Sequence, residues 1–255
     1  FMKISSLSDI YEAGKSFGFP FMLKSATGGY DGKGNFLINS EAEISLGYEA
    51  LGSGSLSLMA EKFFPFIMEI SVLACRGTDG EIKVYPVGEN THEDSILRKT
   101  KVPANISEEA TRCAMGLAYS VMEVFVGVGM FCIEMFIDKE GNIAVNEIAP
   151  RPHNSGHYTI EACVTSQFEQ HIRAVASLPL GSPRLVSPAV MMNILGEGES
   201  GDAQISGIRE ALKIEGVTLH IYGKAKAVPK RKMGHLTCIA KNLEEADEKA
   251  ESAKK

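Results

Sequence analysis

The chain has 255 residues, 44% of them hydrophobic and 23% charged, the balance of a globular protein that can bury a core. It carries 26 Lys and Arg against 32 Asp and Glu, a net charge of -6, so no global positive field exists to hold a nucleic-acid backbone. No apolar run approaches the roughly 18 residues of a membrane span, and neither nucleic acid nor membrane is an expected partner. Cys75, Cys113, Cys132, Cys163 and Cys238 are odd in number and widely spaced, which suits reduced core cysteines in a cytoplasmic setting rather than a disulfide framework. Phe1 is not an initiator Met, and the numbering is expected to begin inside a longer polypeptide.

In chain order, Ser8 or Asp9 is expected to cap a helix that ends at Gly18. Residues 19–24 form the pattern of a strand, and residues 28–35 a glycine-dense loop before a second strand at 36–38. Ser40 with Glu43 spells a capping box for a helix reaching about Leu51, which the run 52–55 breaks. Residues 56–87 are expected as antiparallel sheet, with Asp79-Gly80 turning a hairpin between 70–74 and 82–87. Ser107 caps a helix whose apolar stripe is Ala110, Cys113, Ala114, Leu117 and Val121. Strands follow at 130–138 and 143–149, then a helix from about Thr159 that buries Ile160, Val164, Phe168, Ile172 and Val175. Residues 178–188 are expected to link to a smaller unit. The expected division is 1–55, a lid bearing the glycine-rich loop; 56–185, a core; 186–243, a small C-terminal domain; and 244–255, a solvated tail or linker.

Three constellations can carry chemistry. In the first, the glycines of residues 28–35 let backbone amides approach phosphate oxygens while Lys24 and Lys33 supply charge. Such a loop can act as a mobile lid, or be a hairpin with no ligand. A P-loop would need Ser or Thr where Gly34 stands, and a dinucleotide fingerprint finds no register.

In the second, Glu134 and Glu147 each sit inside an apolar run. If Asp138 opposes Ile143 across a four-residue loop, 139–142, then Glu134 directly opposes Glu147. Carboxylates about 5 Å apart at Cβ repel each other unless something positive lies between them. A hard divalent cation such as magnesium suits that place; the competing reading is a slipped register with both side chains solvated. Arg151 follows in a proline-flanked segment and can clamp an anion. His153 and His157 lack the helical spacing and the Cys of a zinc site, and Ser155 lacks a nucleophile elbow.

In the third, Lys224, Lys226, Lys230, Arg231 and Lys232 form a basic cluster inside an acidic chain. It is an anion site or a solvated loop.

Taken together, the stretch ending Leu23-Lys24, the loop Gly29-Tyr30-Asp31-Gly32-Lys33-Gly34-Asn35, Thr91-His92-Glu93-Asp94, Asn146-Glu147-Ile148-Ala149-Pro150-Arg151, His153-Asn154-Ser155-Gly156-His157, Ser166-Gln167-Phe168-Glu169 and Arg231-Lys232-Met233-Gly234-His235 occur in one order. The set resembles N5-carboxyaminoimidazole ribonucleotide synthase, an ATP-grasp enzyme of purine biosynthesis, and is most similar to the ATP-grasp part of fungal phosphoribosylaminoimidazole carboxylase. That resemblance implies an α+β protein of ATP-grasp fold, two α+β subdomains enclosing ATP, with a small, mostly-β C-terminal domain. It implies ATP phosphates on Lys24 and on Gly29, Tyr30, Asp31, Gly32, Lys33, Gly34 and Asn35. Adenine would meet Glu61, Lys62, Phe63 and Phe64; the ribose would meet Glu69, and His92 and Asn146 would add nucleotide contacts. It further implies Mg2+ on Glu134 and Glu147, bicarbonate on Arg151, and aminoimidazole ribonucleotide on Asn154, Ser155, Lys224, Arg231 and Lys232. A homodimer and, in fungal members, a fused carboxylase/mutase domain are also implied. Val228-Pro229-Lys230 departs from the family's usual run before Arg231. Rival readings are a sibling carboxylase or transformylase with another acceptor, and a nucleotide-binding fragment without activity.

Overall fold

The structure, a computed structural model, describes residues 1–28 and 34–254. The chain divides into two compact units, Phe1–Pro65 with Asp94–Ile96, and Phe66–Glu93 with Leu97–Lys255.

The first unit contains β1 (Met2–Ile4), α1 (Leu7–Phe17), β2 (Phe21–Ser25), β3 (Asn35–Ile38), α2 (Ile44–Ala50) and β4 (Leu58–Lys62). Its sheet runs in the order β1-β4-β2-β3, and Ile10, Ala13, Phe21, Leu23, Ile38, Ile44 and Ala60 form its core. The cap of α1 is Ser6, not Ser8 or Asp9. Its side chain accepts from the Asp9 amide, and the Asp9 carboxylate accepts from the Ser6 amide, the reciprocal arrangement of a capping box. Ser40 makes no side-chain cap; Glu43 instead turns back to accept from the Asn39 amide at 2.8 Å and its side-chain Nδ2 at 3.0 Å. The unit reaches Pro65 rather than residue 55, because β4 pairs with both β1 and β2.

The second unit contains β5 (Phe66–Arg76), β6 (Ile82–Val84), β7 (Gly88–Glu93), β8 (Ile96–Val102), α3 (Glu108–Val124), β9 (Gly129–Asp138), β10 (Ile143–Ala149), α4 (Thr159–Ala162), α5 (Gln167–Val175), β11 (Ala189–Leu195), β12 (Gly201–Asp202), α6 (Ile208–Ala211), β13 (Val217–Ile221), β14 (Lys226–Ala227), β15 (Lys232–Ile239) and α7 (Leu243–Lys254). One antiparallel sheet runs β10-β9-β5-β7-β8-β11-β15-β13, with β6 hairpinned onto β5 as Asp79-Gly80 predicts.

Side chains of a strand alternate between faces, and here both faces are covered. Leu73, Cys75, Met130 and Cys132 pack with Tyr158, Ala162 and Ala174 on one side. Ile70, Val72, Ala74, Phe131, Ile133 and Met135 pack with Ala114, Ala118 and Met122 of α3 on the other. The stripe of α3 is therefore rotated from the expected one, and Cys113 is exposed.

Three further expectations are corrected. The helix expected from Thr159 breaks at Cys163, and α5 turns its polar side inward: Gln167 and Gln170 are buried while Phe168 is 41% and Ile172 60% exposed. The inward amides win because each finds backbone partners there; Gln170, for example, exchanges two hydrogen bonds with Gly181. Residues 178–188 are not a free linker, since Leu180 and Leu185 pack on the core. The expected tail is α7, whose Ala246 and Ala250 are buried against β11 and β15, while Asp247 receives both Lys99 at 2.7 Å and Lys101 at 2.5 Å. The C-terminal strands β11, β15 and β13 also continue the core sheet rather than forming a separate one.

Candidate active site

Strand pairing in the first unit sets Lys24 opposite Met59 and Glu61 opposite Met22. Lys24 and Glu61 are then diagonal neighbours on one face, and the Lys24 Nζ lies 2.6 Å from Glu61 Oε2. Lys62 ends β4 and is exposed, with Phe63 and Phe64 half-buried after it. Gly34 returns the chain to β3 with φ +88°, and Ser25 donates to its carbonyl at 2.7 Å. Asn35 faces Lys24 across the pair. Gly29, Tyr30, Asp31, Gly32 and Lys33, expected on phosphate, lie outside the described residues, and with them most of the expected lid.

In the second unit Glu134 opposes Glu147, as the hairpin arithmetic expects, but by a different route. The turn is one residue shorter than expected. Asp138 accepts from the amides of Glu140 and Asn142 and from Asn142 Nδ2, and Gly141 takes φ +85°, closing a three-residue loop. Ile143 then pairs with Ile137, and this register would set Glu134 against Asn146. An irregularity between Val145 and Glu147 inserts Asn146 as an extra residue, a β-bulge that re-aims everything beyond it. Because a slip of one residue reverses which face a side chain takes, the bulge is what turns Glu147 toward Glu134. Asn146 itself is exposed.

Glu134 shares its face with Cys132 and with Ser71, its opposite number on β5. Burial pushes its carboxyl well above the ordinary carboxylate range, and the charges of Glu147 and Glu69 add to this, while His92 and Lys232 oppose it. Its Oε1 is buried with no hydrogen-bond partner. Glu147, on the edge strand, is exposed. Glu69 lies two residues before Ser71, and its Oε2 is 3.0 Å from His92 Nδ1 without hydrogen-bond alignment. Opposite Glu69 on β7 stands Asn90, which accepts from Thr100 at 2.9 Å.

Beyond β10 the chain turns through 150–158. Arg151 is exposed and donates from Nη1 to the Pro152 carbonyl at 3.0 Å. Burial, then the Arg151 and Lys232 charges, hold His153 down to about 3; its Nδ1 lies 2.9 Å from Ser155 Oγ. Ser155 is buried between His153 and Cys132. Asn154 exchanges two amide hydrogen bonds with Asn193 of β11, which also donates to Leu97 O at 2.7 Å. Two expected substrate contacts, Asn154 and Ser155, therefore have their side chains committed within the protein.

Within the basic cluster, Lys226 is paired with Asp202 at 2.6 Å. Lys224 donates to the Lys232 carbonyl and lies 5.5 Å from the centre of the Tyr222 ring. Burial lowers the Lys224 pKa, and the like charges of Arg231 and Lys232 add to it. Arg231 is exposed and donates to Lys226 O at 3.2 Å. The charge of Lys232 acts on Glu134, His153 and His157 together, so the C-terminal strand β15 brings a positive charge to the inner carboxylate.

Sequence reasoning missed Asn193 and assigned no role to Gln167. Asn193 was findable by the signal that exposed Glu134, a polar residue within the apolar run Ala189–Leu195. Also unforeseen is a stack of imidazoles: His235 lies 4.6 Å from His157 and 4.5 Å from His220, between ring centres. His220 reaches Glu161 at 2.6 Å, and His235 meets Tyr222 OH at 2.9 Å.

The first unit carries Lys24 near the end of β2, and the second sets a carboxylate pair on adjacent strands. Residues 1–168 match the ATP-grasp domain, and the chain belongs to the ATP-grasp family. Residues 189–249 match the phosphoribosylaminoimidazole carboxylase C-terminal domain. The chain is 42% identical over 244 residues to phosphoribosylaminoimidazole carboxylase of Schizosaccharomyces pombe, covering 93% of this chain and 44% of that protein. It is 40% identical over 235 residues to N5-carboxyaminoimidazole ribonucleotide synthase of Bacillus subtilis, covering 92% and 60%. Among solved structures, N5-carboxyaminoimidazole synthase of Aspergillus clavatus in complex with ADP and 5-aminoimidazole ribonucleotide superposes with a TM-score of 0.90 at 37% identity, covering 99% of this chain and 66% of that one. The synthetase of Thermotoga maritima gives 0.86 at 46% identity, with 99% and 65% covered. The ATP-grasp fold implied by the motifs is thus present. The chain spans less than half the length of the fungal relatives.

Proposed function

We propose that this chain carries the ATP- and bicarbonate-dependent carboxylation of 5-aminoimidazole ribonucleotide to N5-carboxyaminoimidazole ribonucleotide. The observation that supports this most is the facing of Glu134 and Glu147 with Lys232 acting on the same site. One catalytic centre then draws on both the ATP-grasp region and the region similar to the carboxylase C-terminal domain.

The donor set fits magnesium. Two carboxylates converge, one with a buried oxygen lacking a partner, and hard oxygen ligands are what this ion prefers. Among the described residues no three His, Cys, Asp or Glu side chains converge on a protein-only cage, so the remaining ligands would be nucleotide oxygens and water. When bound, the ion would offset charge on the transferring phosphoryl group.

In the proposed reaction a bicarbonate oxygen attacks the γ-phosphorus of ATP and the bond to the bridging oxygen breaks, releasing ADP and forming carboxyphosphate. The exocyclic amine of the ribonucleotide then attacks the carboxyl carbon; the bond to phosphate breaks and the amine loses a proton. Lys24 would stabilise the phosphates and Arg151 would hold bicarbonate. Glu61, Lys62, Phe63 and Phe64 would meet adenine, Glu69 the ribose, and His92 and Asn146 further nucleotide atoms. Lys224, Arg231 and Lys232 would hold the ribonucleotide and its 5'-phosphate. Fungal-type fusion to a carboxylase/mutase domain and pairing into a homodimer belong to the same proposal.

ADP release by the full-length protein tests it. Release that requires both bicarbonate and aminoimidazole ribonucleotide is expected, and release that proceeds equally without the ribonucleotide would refute the acceptor.

A further inference from the structure

The loop that follows Glu147 and Arg151 is gripped at both ends, His153 and His157, by one side chain. Gln167, at the start of α5, is 0% exposed. Its Oε1 accepts from the His153 amide at 2.9 Å, and its Nε2 donates to the His153 carbonyl at 2.8 Å and lies 3.0 Å from His157 Nδ1. Its backbone amide donates to Thr159 Oγ1 at 2.9 Å, and that hydroxyl donates to Gly156 O at 2.7 Å. A Cβ on Gly156 would sit 2.5 Å from Gln167 Oε1, so only glycine lets the loop lie this close.

Amide orientation is often ambiguous because oxygen and nitrogen look alike. Here the backbone of His153 removes the ambiguity: an amide N–H must meet Oε1, and a carbonyl must meet Nε2. The group facing His157 Nδ1 is therefore a donor, and Nδ1 must accept. In neutral imidazole one nitrogen carries the proton and the other accepts, which leaves the His157 proton on Nε2. The ring lies 5.6 Å from Phe168 and 4.6 Å from His235, and burial keeps it neutral, down to about 4.

We propose that Gln167 is a positioning residue that clamps residues 153–157 and fixes His157 as the Nε2–H tautomer, presenting the loop in one register after the β9–β10 hairpin that carries Glu134 and Glu147. Its bearing on catalysis rests on the function proposed above; the clamp and the tautomer do not.

Imidazole nitrogen resonances of the chain labelled with 15N-histidine, recorded near pH 7 without ligand, test it. The wild type is expected to show His157 protonated on Nε2 and unprotonated on Nδ1. In Gln167→Glu, at a pH where the carboxyl is ionised, the side chain can only accept, so His157 should carry a proton on Nδ1. A wild-type proton on Nδ1, or an unprotonated Nδ1 in a folded Gln167→Glu whose carboxyl is ionised by its 13C shift, would overturn the proposal. If that variant does not fold, the wild-type spectrum alone decides. No ligand enters the measurement, so its failure would leave the nucleotide reading standing, and absent turnover would leave the clamp standing.

Discussion

Glu134 and Glu147 face each other because β10 gains one residue at Asn146 while the preceding turn is one residue shorter than a four-residue loop. Without the bulge Glu147 would point to the opposite face of the sheet, among the apolar residues under α3. The interior member of the pair carries a buried, unpartnered oxygen and the edge member is exposed, so the two carboxylates present one inner and one outer ligand.

The loop packing makes Gly156→Ala a sharp probe. The added Cβ would lie 2.5 Å from Gln167 Oε1 and 2.6 Å from Leu73 Cδ1, and overpacking of this kind costs about 1–3 kcal/mol. Urea unfolding should show a loss in that range. A loss under about 0.5 kcal/mol, the size of a neutral surface change, would mean the loop is not held against Gln167.

The imidazole stack gives a pH dependence of defined sign. Burial holds His235 down to about 3, with further repulsion from His157 and His220. The unfolded chain takes up a proton near pH 6.5 and the folded one does not, so stability falls as pH drops from about 6.5 toward the folded value. Between pH 7 and 5 a single histidine contributes a loss of about 2 kcal/mol. His235→Gln should lose about that much less than wild type over the same interval. Equal losses in the two proteins would show that His235 titrates freely when folded.

The final helix is expected to be part of the fold. Ala250→Asp would bury a carboxylate at a position that is 0% exposed, and an unpaired buried polar group costs about 1–3 kcal/mol or more. Ser252→Asp, on the exposed side of the same helix, should stay within about 0.5 kcal/mol of wild type. Equal effects from the two variants would contradict the packing of α7.

Arg231 carries the anion reading of the basic cluster. A hydrogen bond to a charged group contributes about 1.5–3 kcal/mol, so Arg231→Ala in the full-length protein should weaken ribonucleotide binding roughly ten- to a hundredfold. ATP affinity should hardly change. Ribonucleotide affinity within about twofold of wild type, or about 0.4 kcal/mol, would return the cluster to a solvated loop.

The strands and the carboxylate pair were legible because a charged residue inside an apolar run is a strong local signal. The register was reached with a turn one residue too long and no bulge, two departures that compensate at Glu134 and Glu147. Neither can be seen from periodicity alone. The face of α5 was misassigned for a physical reason: Gln167 and Gln170 satisfy backbone groups of distant loops, and that demand overrides the apolar stripe of Ile160, Val164, Phe168 and Ile172. Asn154 and Ser155 carried the right motif, but their partners Asn193 and Cys132 lie on strands far off in the chain. The tail was misjudged because alanine offers little hydrophobicity, yet its small size lets α7 lie close on β11 and β15.

The central claim is that Glu134 and Glu147 make the metal and nucleotide centre, and calorimetric titration of ATP with and without Mg2+ tests it most directly. Wild type should bind ATP more tightly with magnesium, and Glu147→Gln should lose that magnesium-dependent gain, at least tenfold or about 1.4 kcal/mol, while its thermal unfolding stays unchanged. Magnesium-dependent ATP affinity that is the same in Glu147→Gln as in wild type would contradict the account.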